Sequence, residues 1–181
     1  MPHKQLLNLE TGEFLLIENP AENVTENTFF VSDKTAPEDL IRHFGEDKLR
    51  ITDHKNGHSN YNIYDLKIGD LYFILTFYFK ELIEEKVNGT LKTKQLTTIS
   101  FIFSKTPYAE SNDSWDNFDE KNEKKKGQFM QNWLNLQING SFKAFPWGDV
   151  GVNYDHHNLS YSCQIRYRDA ITGGKIKIIN Q

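Results

Sequence analysis

Two short clusters of side chains able to bind a metal stand out in the chain: Asp155, His156 and His157 in the stretch DHHN, and Asp53, His54 and His58 in DHKNGH. A hydrolytic zinc site needs three such ligands converging on one point, with a fourth position left open for water. Adjacent histidines diverge unless a turn bends them together, so a metal-dependent hydrolase would need the two clusters to meet in space. The competing reading is a pair of solvated turns, because Asp, Asn and His populate turns without any catalytic demand. We carry the second reading forward and expect no metal and no other cofactor.

Other catalytic patterns are missing from the sequence. There is no G-x-S-x-G, no phosphate-binding loop, no dinucleotide fingerprint and no H-E-x-x-H. The lone cysteine, Cys163, alternates with Tyr161 and Ile165, which makes it a small core residue and not a nucleophile. His43 falls inside a helical pattern, where a single histidine is a boundary residue. No carboxylate pair is singled out by spacing, and the chain is read as non-enzymatic.

A binding surface is the alternative to catalysis. Trp147, Tyr154, Asp155, His156 and His157, with Arg166 and Arg168 on the outer face of a strand, compose a mixed aromatic and charged patch of the kind enriched at protein interfaces. Trp147 has a second reading as core beneath the preceding helix. Glu110, Asp113, Asp116, Asp119 and Glu120 form an acidic stretch that could steer a basic partner. Lysines between 121 and 126 follow it, a segregated pattern that reads as a solvated linker or an exposed helix start.

Composition sets the limits. The chain has 181 residues, a formal charge of −4, and thirteen Phe, eight Tyr and three Trp to fill a core. No positive field draws it to nucleic acid. The absence of a cysteine pair, of a signal-peptide pattern and of a membrane-length apolar run leads us to expect a soluble cytoplasmic protein.

The elements that must position these residues follow from periodicity. Residues 4–17 read as a hairpin, and a polar segment leads to a helix over 36–44, opened by a capping box of Thr35 with Glu38 and stopped by Gly45. From 48 to 104 the period is two. Asn56-Gly57 marks a hairpin turn, residues 69–82 read as a strand buried on both faces, and residues 84–90 read as a turn region. A second helix carries Phe129, Met130, Trp133, Leu134 and Ile138 and ends near Asn139-Gly140, its start falling as early as Ser114. The closing hairpin sets Val150, Val152 and Tyr154 against Leu159, Tyr161, Cys163, Ile165 and Tyr167, and the tail 171–181 offers an edge strand. The order predicts an α+β fold dominated by antiparallel sheet, a helix and meander followed by a helix and hairpin. We read one domain over 1–181, with 1–105 and 106–181 as its parts.

The short PEDLIRHFGED helix, the aromatic-rich antiparallel run and the closing WGDVGVNYDHHNLSYSCQIRY hairpin resemble the small cytoplasmic proteins that bacteria encode beside toxins as immunity partners. The resemblance carries no residue assignments. It implies a protein that inhibits a toxin by tight, surface-complementary binding, without turnover. A small-ligand domain with a pocket of Tyr and Phe is the third function considered.

Overall fold

The computed structural model describes residues 5–17, 28–68, 71–86, 88–105, 119–156 and 159–168. In chain order the elements are β1 (Phe14–Ile17), β2 (Thr28–Val31), α1 (Pro37–Phe44), β3 (Arg50–Asp53), β4 (His58–Ile68), β5 (Leu71–Lys86), β6 (Gly89–Lys105), α2 (Glu120–Ile138), β7 (Phe142–Phe145), β8 (Gly148–Asp155) and β9 (Ser160–Tyr167). β3 to β9 form one seven-stranded sheet in the order β3-β4-β5-β6-β9-β8-β7, with every neighbouring pair antiparallel. β1 and β2 pair separately. The fold is α+β with antiparallel sheet dominant, and strands from both parts of the chain share the large sheet. No helix among the described residues is long and apolar enough to cross a membrane.

Alternation aligns the apolar residues into rows across the strands. One row runs Ile63, Leu75, Phe101, Cys163, Val152; the next runs Ile51, Tyr61, Phe77, Ile99, Ile165, Val150. Among the described residues α1, α2 and β1 pack on this face. α2 brings Trp133 against Phe73, Phe101 and Phe103, with ring centroids 5.4–5.9 Å apart. β1 stacks Phe14 on Phe101 at 5.5 Å, and α1 adds Leu40 and Phe44 to the same cluster.

The opposite face differs from expectation. β5 was expected to be buried on both sides, and Phe73, Leu75, Phe77 and Phe79 are indeed at most 1 % exposed. Their alternates Tyr72 and Ile74 are only half-buried, and Tyr78 is 37 % exposed. The reason is the one-sided layering: no described helix covers that face, which carries a polar row of Asn62, Thr76, Ser100 and Gln164.

Local readings need four further corrections. The chain reverses between Asn8 and Glu13, but pairing with the first strand shrinks to a bridge between Leu7 and Phe14, and the ladder partner of β1 is β2, in the segment read as a polar connection. α1 is capped one residue later than expected. Ala36 has no side-chain acceptor, so Asp39 reaches back to accept the Ala36 N–H at 2.9 Å, while the Thr35 hydroxyl accepts the Ser32 N–H. β5 and β6 continue through the supposed turn region to Lys86 opposite Gly89, and β7 extends the closing hairpin to three strands. α1 therefore follows strands and does not open the fold. A helix start at Ser114, and the tail strand, lie outside the described residues.

Two substitutions test this packing. Phe101→Ala removes a ring from the meeting point of Phe14, Phe73 and Trp133 and should lower unfolding free energy by about 3–5 kcal/mol in urea titration. Gly127→Ala is the subtler case, because a Cβ there would lie 2.6 Å from the Tyr161 ring. Overpacking costs about 1–3 kcal/mol and helix propensity returns about 1 kcal/mol, so a loss of up to about 2 kcal/mol is expected.

Candidate binding surface

Asp119 fixes the start of α2. Its carboxylate accepts the N–H groups of Lys121 and Asn122 at 2.9 and 3.3 Å, satisfying donors that a helix otherwise leaves open. Glu120 bridges Lys124 one turn on at 2.6 Å, with both side chains about two-thirds exposed. Glu123 turns inward, and one carboxylate oxygen accepts the Tyr161 N–H at 2.8 Å while the other lies 3.7 Å from the Lys126 ammonium. Gly127 then lets the helix backbone rest on the Tyr161 ring. The lysine run is thus not uniformly solvated, since Lys126 is 8 % exposed.

This docking brings two regions together that are about 35 residues apart in sequence. Glu123 and Gly127 of α2 meet Tyr161 at the start of β9, where the Tyr154 ring lies 4.8 Å from Tyr161 and edge-on to His156 at 4.9 Å. His156 is exposed, and Tyr154 and Asp155 are half-buried. His157, Asp113 and Asp116 lie outside the described residues. The result is a contiguous surface of aromatic, imidazole and carboxylate groups at one end of the sheet.

The other expected site residues lie elsewhere. Trp147 precedes β8 at the far end of the strand and packs under the N-terminal turn, not under a helix. Its indole N–H donates to the Leu9 carbonyl at 2.9 Å, its ring stacks on Phe145 at 4.9 Å, and Gly12 (φ +76°) lies so close that a Cβ would meet the ring at 2.5 Å. Arg166 is neutralised on the outer face by Asp149 across the strand pair, both nitrogens 2.6 Å from one carboxylate oxygen. Arg168 is exposed and donates its backbone N–H to Trp147. These three belong to a separate end of the sheet.

The strand register also keeps the two histidine clusters apart. His58 stands opposite Lys80, which stands opposite Gln95 on β6, whereas Asp155 pairs with Ser160, beyond the Cys163–Phe101 pair on the other side of Thr98. The clusters belong to the β3–β4 and β8–β9 turns, on strand pairs separated in the sheet by β5 and β6. Asp53 is instead engaged by Lys94 at 2.8 Å. Among the described residues no three His, Cys, Asp or Glu side chains are placed to hold a metal ion.

Among the described residues one cleft of about 380 Å³ lies between the start of α1 and the β5–β6 hairpin, and another of about 410 Å³ lies beside the β4 bulge at Asp65. The first is lined by Glu38, Glu81, Lys92 and Lys94 and the second by Lys48, Asp65 and Lys67 together with Phe44 and Tyr64. Charged groups contribute to both linings.

Comparison of the chain with protein-family models, with curated proteins and with solved structures finds no match. What the chain does must therefore be argued from its own geometry.

Two buried protons give this part of the sheet a pH signature. Burial pushes the Cys163 thiol well above its ordinary 9.0, a backbone hydrogen bond with Gln164 offsetting little of it. The Tyr167 hydroxyl, donating to the Gly12 carbonyl at 2.9 Å, is held above its ordinary 10.0 by burial and by the charges of Asp33 and Glu13. Both groups stay neutral when folded but ionise in the unfolded chain, so above pH 9 the native state binds more protons and stability falls as pH rises. Each group contributes a slope of about −1.4 kcal/mol per pH unit above its unfolded value and none below it. Urea midpoints followed upward from pH 7 should begin to fall near pH 9, and Cys163→Ala should delay the onset to that of Tyr167. The native thiol should resist a water-soluble disulfide reagent until denaturant is added.

Proposed function

We propose that this chain is a non-enzymatic protein-binding module of the toxin-immunity kind, which inhibits a partner by covering it. The observation that carries this reading is the ring cluster of Tyr154, His156 and Tyr161 at the β8–β9 turn, on which the start of α2 docks through Glu123 and Gly127. Aromatic groups with one polar end, ringed by charge, are what binding energy concentrates on at protein interfaces. Charges of both signs border these aromatics, Asp155 and Glu120 with Lys124, so a partner must complement both, and Glu120→Lys leaves Lys124 unpaired and alters association. In this reading Trp147 is structural, its indole packed and bonded beneath the N-terminal turn, and Arg166 stands at the end of β9 away from the β8–β9 turn.

Affinity capture from the producing organism's lysate and culture, with the metal content of the purified protein measured alongside, tests the proposal. One stoichiometric partner is expected, with binding reduced at least about tenfold by Tyr154→Ala combined with His156→Ala, and its association rate altered by Glu120→Lys. All variants should keep the parent's circular dichroism. Retention of the partner by these variants, or a tightly held transition metal in place of a partner, would overturn it.

A further inference from the structure

Three asparagines of the chain precede a glycine: Asn56-Gly57, Asn88-Gly89 and Asn139-Gly140. Such a pair can react with itself. The glycine nitrogen attacks the asparagine side-chain carbonyl carbon, the amide nitrogen leaves as ammonia, and a five-membered succinimide closes across the two residues. Water then opens the ring at either carbonyl, leaving aspartate or, where the main chain is rerouted through the side chain, isoaspartate. Glycine favours the attack because it has no Cβ to shield its nitrogen. All three asparagines are exposed, so water reaches each of them. What differs is whether the attacking N–H is already engaged.

In two of the pairs it is. The Gly57 N–H donates to the His54 carbonyl at 3.2 Å, and the Asn56 side-chain oxygen accepts the His58 N–H at 3.3 Å, so both reacting groups are held in the β3–β4 turn. Gly89 stands opposite Lys86 at the closed end of the ribbon that β5 and β6 form, among the described residues, beyond Lys80 and Thr98. Its bonding follows from alternation. The Glu81 N–H points away from β6, to the Gly57 carbonyl, so Glu81 and Lys94 are a non-bonded pair. Lys86 and Gly89, an odd number of pairs further on, therefore exchange both hydrogen bonds.

Asn139 is placed differently. It ends α2 in the left-handed region, with φ 55° and ψ 59°, and its own N–H caps the helix on the Asn135 carbonyl at 2.8 Å. Among the described residues the Gly140 N–H has no acceptor and the Asn139 side-chain amide makes no hydrogen bond. The helix is nonetheless held firmly up to that point, because Ile138 is 1 % exposed and the Gln137 side chain accepts the Leu6 N–H. Rotating the single peptide after Asn139 brings the Gly140 nitrogen towards the side-chain carbon without breaking a hydrogen bond, and Gly140 itself absorbs the rotation.

We infer that Asn139-Gly140 is a site of spontaneous deamidation, which converts the cap of α2 into aspartate or isoaspartate with uptake of water and release of ammonia. Either product loosens the join between α2 and β7. A carboxylate there faces the negative end of a helix whose last turn holds no basic residue. Isoaspartate also adds a methylene to the main chain just ahead of Ser141, whose carbonyl accepts the Val152 N–H at 3.0 Å.

The test is incubation of the full chain in warm, mildly alkaline buffer, followed by digestion and mass spectrometry of the three Asn-Gly peptides, with isoaspartate read by enzymatic methylation. Asn139 should deamidate roughly two- to tenfold faster than Asn56 or Asn88, the factor that one engaged hydrogen bond supplies. In denaturing urea the three rates should converge. The aged parent should melt lower in proportion to its isoaspartate content. Asn139→Gly, which suits the left-handed position, should keep its melting temperature over the same period. Equal rates at the three sites of the folded chain, the same lead for Asn139 in urea, or a loss of stability in Asn139→Gly as fast as the parent's would overturn the inference.

Discussion

Phe101 sits in the middle of a row that crosses the sheet from Ile63 to Val152, and three other parts of the chain meet on it: Phe14 from β1, Phe73 from β5 and Trp133 from α2. A ring buried there removes about 150–250 Å² from water, worth about 4–6 kcal/mol as an upper bound at about 25 cal/mol per Å². That scale exceeds any polar contact in the molecule and dictates the layering. One apolar face must be covered, and α1, α2 and the β1–β2 pair all cover it, leaving the other face polar. The pairing of β6 with β9 follows, because Phe101 and Cys163 share a row and α2 spans the connection between the two strands.

Polar groups then set position. Glu123 and Lys126 form a charge pair at the helix–sheet boundary, and such pairs recover little more than their desolvation cost. Their value lies in register: Glu123 can accept the Tyr161 N–H only when Gly127 rests on the Tyr161 ring. At the far end of the helix the Gln137 side chain accepts the Leu6 N–H at 2.9 Å, and the Gln137 carbonyl accepts the Gln5 amide at 2.7 Å. The same helix thereby holds the β8–β9 turn at one end and the first described residues of the chain at the other.

What could be read from the sequence was what periodicity alone decides. The alternation in residues 159–167 identified the core side of β9, and Cys163 proved fully buried because it falls on the apolar phase, while the side expected to be wet is only half-exposed and buries Ser162. The stripe Met130, Trp133, Leu134, Ile138 found the buried face of α2 for the same reason. Periodicity carries no information on what covers a face, so β5, apolar on both sides, was read as doubly buried. Nor does it reveal partners distant in sequence. β2 has only four residues and takes its meaning from β1, and Trp147 could not be assigned to Leu9 and Gly12 from any local pattern. Of the surface residues, Tyr154, Asp155 and His156 were joined to the start of α2 by the Glu123–Tyr161 contact, which no spacing rule announces. A Glu two turns ahead of the apolar stripe was the one available hint.

The ends of the sheet and its ribbon obey different physics. β3 and β7, the two outermost strands, have four residues each, which limits the exposed edge that longer strands would present. The ribbon departs from that economy. Between residues 81 and 94 it contributes little to the core, with Ile83 60 % and Leu91 41 % exposed, and an isolated pair of strands is marginal in water. Cross-strand pairs such as Glu81 with Lys94, worth roughly 0.2–1 kcal/mol each, hold it straight without repaying the order they impose. An extension that the core does not require is thus held mainly by its own ladder, with Glu81, Glu84 and Glu85 on one strand and Lys92 and Lys94 on the other.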